Sequence, residues 1–441
     1  MPIVPFSSGT DFMGGAVPSI GGILVDLSGM KKISELSNHF WYVTVEPGVT
    51  FLQLQKELFK EGLRVQVPLH TPPSASVLAT YFDRAVAPGA GDFIYGNEQI
   101  QTFRVVLPSG EHFTIGNPAL PNAPHCHPMG PGLNFYRLFM CAQGTMGICY
   151  EMNLRLLPLP KAQKIFFATF ENEADVLKII KAIQRQELGY ECFALNNFDL
   201  ATMVVKENRA DTEKLKNGTY VTSTGAKAWG QEMRNDFEAL RASLPPWTLV
   251  IALTSWARYP EEKVAYQELD LRELMAEMGS EMYTSVGGIV GLGKIIADEL
   301  ITPWRLQKRF GYRGTTQALS FHATADNIPA IQKVLFDTAA KYRYSSAEIG
   351  AYLQPVERAR SFFCVYDLHC DPTRADEVQR VKALFSEASE AMIGVGAFFD
   401  RPYGPWADMM YRRNATYAEY LRKIKAQLDP NNILNPGKLC F

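Results

Sequence analysis

Pro5-Phe6-Ser7-Ser8-Gly9-Thr10-Asp11, with Gly14-Gly15 behind it, is the stretch from which the rest of the chain is best read. The apolar Ile3-Val4 ahead of it reads as the end of a strand, and Ile23-Leu24-Val25 opens the next apolar run. The residues between are small or hydroxylic and lack helical spacing, so they form a loop between two strands. Such a loop exposes backbone N–H groups and carries hydroxyls, the donors that cradle phosphate oxygens. Most Ser/Gly loops are plain turns, and on composition alone both readings stand.

At 441 residues the chain exceeds the size at which a single core keeps growing, so two domains are expected. A net charge of -2 without a Lys/Arg run argues against a general nucleic-acid or anionic-membrane footprint. No apolar stretch approaches the roughly 20 residues that cross a bilayer, and Met1-Pro2-Ile3-Val4-Pro5 lacks a signal-peptide pattern, so a cytoplasmic protein is expected. Seven scattered cysteines, with no CxxC, suit reduced thiols and exclude iron–sulfur or zinc-ribbon spacing within the chain.

Strands are expected at 23–27, 42–46 and 104–107. Phe51, Leu54 and Leu58 have helix spacing after the Glu46-Pro47-Gly48-Val49 turn. Residues 68–97 are rich in Pro, Ala, Ser and Gly and form a long irregular connection of the kind that contacts ligands. A helix-like piece near Phe135 leads to Gly144-Thr145-Met146-Gly147-Ile148 and a strand over 149–157, and Pro158-Leu159-Pro160 marks a boundary. Beyond it strands at 164–170, 248–254, 317–322, 347–353 and 361–369 alternate with helices near 173–183, 261–278, 328–342 and 374–392. This order predicts a two-layer α+β domain with helices on one face of an antiparallel sheet. Residues 205–245 and 280–315 are less regular insertions, and a last helix is expected over 415–427.

Five motifs in order carry a resemblance. They are the Pro5–Asp11 loop with Gly14-Gly15; Val25-Asp26-Leu27; Val45-Glu46-Pro47-Gly48-Val49; Gln143 to Ile148 preceding Leu156-Leu157-Pro158; and Asp429-Pro430-Asn431-Asn432-Ile433-Leu434-Asn435-Pro436-Gly437-Lys438. On these the chain resembles the FAD-linked oxidases and dehydrogenases of the vanillyl-alcohol oxidase and 4-cresol dehydrogenase (PCMH-type FAD-binding) superfamily. The resemblance implies a fold of class α+β: an FAD-binding domain split into residues 1–160 and 400–441, N-terminally short, with a ferredoxin-like α+β cap over 161–399 inserted between. It assigns Phe6, Ser7, Ser8, Gly9, Thr10 and Asp11 to the FAD pyrophosphate. Ser74, Ala75, Ser76, Gly144, Gly147, Ile148 and Lys438 go to the rest of the cofactor.

Relatives usually carry a further strand–helix–strand portion ahead of the loop that begins here near Met1. Leu78 stands where a glycine is common, and Met13 and Asp400 stand where the vanillyl-alcohol group has its phenol-binding tyrosines, whereas the neighbouring guanidinium is kept as Arg401. Neither His nor Tyr occupies Arg360-Ser361, where some relatives link flavin covalently, so non-covalent FAD is expected. The His-x-Gly-Asp-Gly pattern of lactate- and glycolate-type relatives is missing. The resemblance further admits a small-molecule substrate, a separate electron-acceptor protein and a homodimer.

Flavin dehydrogenation requires a C–H bond aligned with the ring and stabilised negative charge. Arg401, stiffened by Pro402, offers a planar fork for an oxyanion or carboxylate. Asp400 offers a proton acceptor and Tyr403 a hydrogen bond. His369 is a further candidate; it and Tyr366 lie three apart on one strand and therefore face opposite ways. His125-Cys126-His127 supplies no third or fourth ligand at metal-site spacing, so no metal is expected. Gly287-Gly288-Ile289-Val290-Gly291-Leu292-Gly293 lacks the strand–turn–helix frame of a dinucleotide fingerprint. The leading expectation is a flavin oxidoreductase acting on a small alcohol, hydroxy acid or aromatic side chain, passing electrons to oxygen or a carrier. A non-catalytic subunit that keeps the fold as an assembly module is the alternative.

Overall fold

The computed structural model describes residues 1–11, 13–89, 96–123, 127–205, 228–256 and 258–441. The His125-Cys126 part of the one metal-like motif therefore lies outside the described residues.

The N-terminal segment forms β1 (Ile3–Phe6) and β2 (Ile23–Asp26), paired in parallel. It continues as β3 (Ile33–Ser37), β4 (Tyr42–Val45), β5 (Leu63–Arg64), β6 (Ile100–Val106), β7 (His112–Ile115), β8 (Ile148–Arg155) and β9 (Leu157–Pro158). Five of these make an antiparallel sheet in the order β3-β4-β8-β6-β7. The helix Phe51–Leu58 starts as its sequence dictates. Thr50 Oγ1 accepts from the Gln53 N–H, and Gln53 Oε1 accepts from the Thr50 N–H, a reciprocal cap that satisfies two donors the helix cannot. Its buried Phe51, Leu54 and Leu58 join Val43, Val45, Phe103, Met152 and Leu154 of the sheet in one core.

Residues 162–370 supply the second sheet: β10 (Ala162–Phe170), β11 (Glu191–Asn196), β12 (Trp247–Ser255), β13 (Thr315–Ala323), β14 (Gly350–Val356) and β15 (Ser361–Cys370). All its pairings are antiparallel, in the order β10-β12-β11-β14-β15-β13. Helices Glu173–Arg185, Pro260–Glu277, Ile328–Lys341 and Ala375–Gly394 cover one face with Ile180, Leu271, Leu335 and Leu384, as their apolar spacing predicts.

The other face carries alternate residues of the same strands, among them Phe193, Val250, Tyr352, Phe363 and Val365. It meets helix Asn197–Val204 and also Leu69 and Val86 of the N-terminal segment. The buried Arg64–Glu191 pair at 3.3 Å joins the two regions, and Gln55 Nε2 donates to Ile301 O at 3.1 Å. Around the second sheet, β11 and helix Asn197–Val204 escaped sequence reading; elsewhere so did β3, β7 and the helices Val77–Phe82 and Pro405–Tyr411. The irregular 205–245 and 280–315 stretches hold helices Gln231–Ser243 and Leu292–Ile301 among their described residues.

The chain then returns to its start. Ile3 N–H donates to Ile433 O at 2.7 Å, and Asn435 N–H donates to Ile3 O at 2.9 Å, so the closing segment lies along β1. Asp429 folds that segment by accepting from the Ile433 and Leu434 N–H groups, and Lys425 Nζ reaches Thr145 O at 2.6 Å. The buried Lys425 and the side chains of Asp429 and Asn435 thereby bring residues 3–15, 143–147 and 433–438 together.

Candidate active site

A cavity of 330 Å³ lies where these three segments meet the open face of the second sheet. Its volume falls at the low end of ligand sites, roughly 300–1,000 Å³. One wall is the loop after β1: Phe6, Ser7, Ser8, Gly9, Thr10 and Asp11 all line it. Ala75, Gly144, Gly147 and Ile148 line it as well, and the cap contributes Ala318 and Ser320 of β13 with Phe363 and Val365 of β15.

The loop is built to present its backbone. Asp11 turns it back, its carboxylate accepting from the Met13 and Gly15 N–H groups at 2.8 Å each. Ser8 Oγ lies 3.1 Å from Thr10 Oγ1 and accepts from the Ser76 N–H at 2.9 Å. The N–H groups of Ser7, Ser8, Gly9 and Thr10 donate to no other described residue, which leaves a row of donors for an anion. Gly9 has φ +64°, and at Gly144, φ +72°, a Cβ would stand 2.4 Å from Pro5 Cγ. Only glycine lets the two strands of backbone approach so closely. Free donors, hydroxyls and close glycines at a cavity wall are a donor set that fits the pyrophosphate and ring of FAD.

Not every residue assigned from sequence reaches the cavity. Ser76 is buried beneath the loop, where its Oγ donates to Pro47 O at 2.6 Å and caps helix Val77–Phe82 by accepting from the Ala79 N–H. Lys438 braces the loop through Gly14 O at 2.8 Å and does not line the cavity, nor does Ser74.

The chemical wall lies opposite, after the Phe398-Phe399 turn. Trp406, tilted against Phe399 with ring centroids 4.4 Å apart and donating its Nε1–H to Ser389 Oγ, fixes that turn. Arg401 lines the cavity: one Nη donates to Asp83 Oδ2 at 3.4 Å, the other to Ser320 Oγ at 3.3 Å, and its guanidinium lies 5.6 Å over Phe363. Tyr403 O–H donates to Asp83 Oδ1 at 2.6 Å. Asp83 is the member that sequence reasoning missed. Its side chain keeps 25% exposure, toward the cavity it lines, while protein surrounds the rest. Burial pushes its pKa up to about 6 against the pull of Arg401 and the Tyr403 hydrogen bond; Asp11 and Asp400 push in the same direction as burial.

Asp400 points elsewhere. Its carboxylate sits 3.6 Å from Arg84 Nη2 and 3.6 Å from His322 Nε2, off the cavity lining. His369 is also away from the cavity, fully buried and stacked on Phe198 at 4.7 Å, and burial pushes its pKa down to about 3. Tyr366 indeed faces the opposite way, its O–H 3.1 Å from Gln332 Oε1 under the helices.

The FAD binding domain family model matches residues 1–116, and that of the FAD linked oxidases, C-terminal domain, matches residues 405–439. These two domains, with the relatives below, support the superfamily of PCMH-type FAD-linked oxidases, and the chain is an FAD-linked oxidoreductase. It is 24% identical to the glycolate oxidase subunit GlcD of Bacillus subtilis (strain 168), over 100% of this chain and 84% of the relative. It is equally 24% identical to the 4-cresol dehydrogenase [hydroxylating] flavoprotein subunit of Pseudomonas putida, over 99% of this chain and 83% of the relative. Among solved structures, p-cresol methylhydroxylase with substrate bound superposes with a TM-score of 0.78 at 21% identity, covering 100% of this chain and 84% of that one. The isoeugenol complex of 4-ethylphenol oxidase from Gulosibacter chungangensis does so with a TM-score of 0.78 at 19% identity, over 99% and 84%. These two likenesses establish the α+β PCMH-type fold.

Proposed function

We propose that the protein oxidises a small alcohol, hydroxy acid or aromatic side chain, with Arg401 holding the substrate's anionic oxygen and Asp83 taking its proton. The Asp83–Tyr403–Arg401 network on the cavity wall carries this reading. Non-covalently bound FAD would be held by the 6–11 loop, Ala75, Gly144, Gly147 and Ile148, and it supplies hydride-accepting chemistry. Arg401 keeps N–H donors beyond those used by Asp83 and Ser320, so it can anchor a substrate oxygen without leaving Asp83 unpaired. Asp83, ionised above about pH 6, is then a base on the same wall. The apolar Phe363 and Val365 exclude water beside both groups.

The test is an anaerobic substrate screen on FAD-reconstituted protein, followed by re-oxidation with air or with an electron-carrier protein. Bleaching of the flavin band by an alcohol or hydroxy acid supports the reading; recovery in air marks an oxidase, and recovery with the carrier alone marks a dehydrogenase. A folded protein that takes up no FAD sinks it and favours the assembly-module alternative. Acid precipitation that leaves yellow flavin in the pellet would overturn non-covalent binding. No described helix is long and apolar enough to cross a membrane.

A further inference from the structure

We propose that His70, Asp199 and Asp367 form a binding site for a divalent transition cation, with zinc the best match. The three come from distant parts of the chain: the irregular 68–76 connection, helix Asn197–Val204 and strand β15. One ligand atom from each lies within 4.8 Å of the others. Asp199 is 1% exposed and Asp367 0%, and all four of their carboxylate oxygens lack a hydrogen-bond partner among the described residues. His70 Nε2 lacks one too, while its ring packs edge-on against Tyr352 at 5.1 Å. Buried carboxylates with unpaired oxygens are costly unless paired or bound to a metal.

The site is shaped for the carboxylates. Gly350 pairs with Asp367 across β14 and β15, and a Cβ at Gly350 would stand 2.2 Å from Asp199 Oδ1. The helix carrying Asp199 begins at Asn196, whose side chain accepts from the Asp199 N–H at 3.1 Å, so its first turn is fixed over the sheet.

Charge also favours a dication. Arg309, 0% exposed, brings its Nε to 3.2 Å from Asp367 Oδ2, giving one positive charge against two carboxylates. A divalent ion more than neutralises the remainder and leaves a position for an anionic oxygen, which His70 and Arg309, both lining the cavity, place on the cavity side. One imidazole and two carboxylates suit zinc at bond lengths of about 2.0–2.2 Å, which asks the three side chains to close slightly. Imidazole ligation disfavours magnesium and calcium. Such an ion would also pin the 68–76 connection to the cap.

Untagged full-length protein, loaded with FAD and freed of metal by chelator, is titrated with ZnCl2, and with MgCl2 for comparison. One zinc per chain is expected, with far weaker uptake of magnesium. Asp199→Asn and His70→Gln should each weaken zinc uptake by at least about tenfold, the scale on which even supporting partners of a metal count, with far-UV circular dichroism unchanged. A folded wild type that takes up no zinc overturns the proposal, as it would if the two carboxyls simply share a proton. Zinc uptake equal to wild type in both variants overturns it as well, assigning the metal to the thiols. If Asp199→Asn does not fold, the wild-type titration and His70→Gln decide. Flavin absorbance is read separately, so loss of this site leaves the redox reading untouched.

Discussion

The two polar walls of the cavity are built on opposite principles. Around Arg401 the charged groups answer one another: Asp83 is held by Tyr403 and Arg401, and Arg401 by Asp83 and Ser320. Around Arg309 they do so only in part: its Nε pairs with Asp367 Oδ2 at 3.2 Å, while the oxygens of Asp199 and Asp367 and the Nη atoms of Arg309 make no hydrogen bond among the described residues. A closed network holds its geometry before substrate arrives, which is what positioning chemistry needs. An open one is stable only with a partner, which is what a binding site needs.

The sharpest way to break that contrast is Asp83→Asn, which keeps the shape and removes the base. Flavin reduction by substrate, followed anaerobically by stopped flow, should slow by about 10²–10⁴-fold. The sign of the pH dependence follows from the raised carboxyl: the ionised form accepts the proton, so the wild-type rate falls as pH drops through about 6. Asp83→Asn should lose that fall, and a variant that keeps it assigns the titration to another group.

Arg401→Ala comes next. Loss of a charge-assisted hydrogen bond of about 1.5–3 kcal/mol should lower kcat/KM roughly 10–100-fold, and Arg401→Lys should recover part of it for carboxylate substrates. Full turnover in Arg401→Ala would remove Arg401 from the site while leaving the flavin cradle standing.

Gly144→Ala tests the cradle itself. A left-handed backbone costs a non-glycine residue about 1–2 kcal/mol, and the close contact with Pro5 adds to that. The expected result is a lower Tm and weaker FAD retention in equilibrium dialysis. The smallest effect belongs to Ser76→Ala. It should lose the helix cap, about 1 kcal/mol of stability, and leave FAD affinity nearly unchanged, since the bond to Ser8 comes from the Ser76 backbone. A large fall in FAD affinity would return Ser76 to the cofactor's direct contacts.

Much of this was legible in the chain because local rules set it. The helices over 173–185, 260–277, 328–341 and 375–394 announce themselves by one apolar face, and the loop at 6–11 by its small and hydroxylic residues. β11 and helix Asn197–Val204 were not legible for a physical reason. Strand passes into helix at Asn196 with no Gly or Pro between, and Phe198 to Met203 are all buried, so no apolar–polar period exists to be read. Asp83 carried only a faint signal, one acidic residue beside Arg84 amid apolar neighbours in a stretch without periodicity.

The sequence by itself determined the order of elements, the loop with its free donors and the presence of Arg401 beside Pro402, since these follow from composition and spacing within a few residues. Only the tertiary structure decided that Asp83 would meet Tyr403, that Asp400 and His369 would turn from the cavity, and that His70, Asp199 and Asp367 would converge. Those outcomes depend on which face of each strand the sheet buries and on how a loop hundreds of residues away closes over it, and no local pattern encodes contacts at that separation.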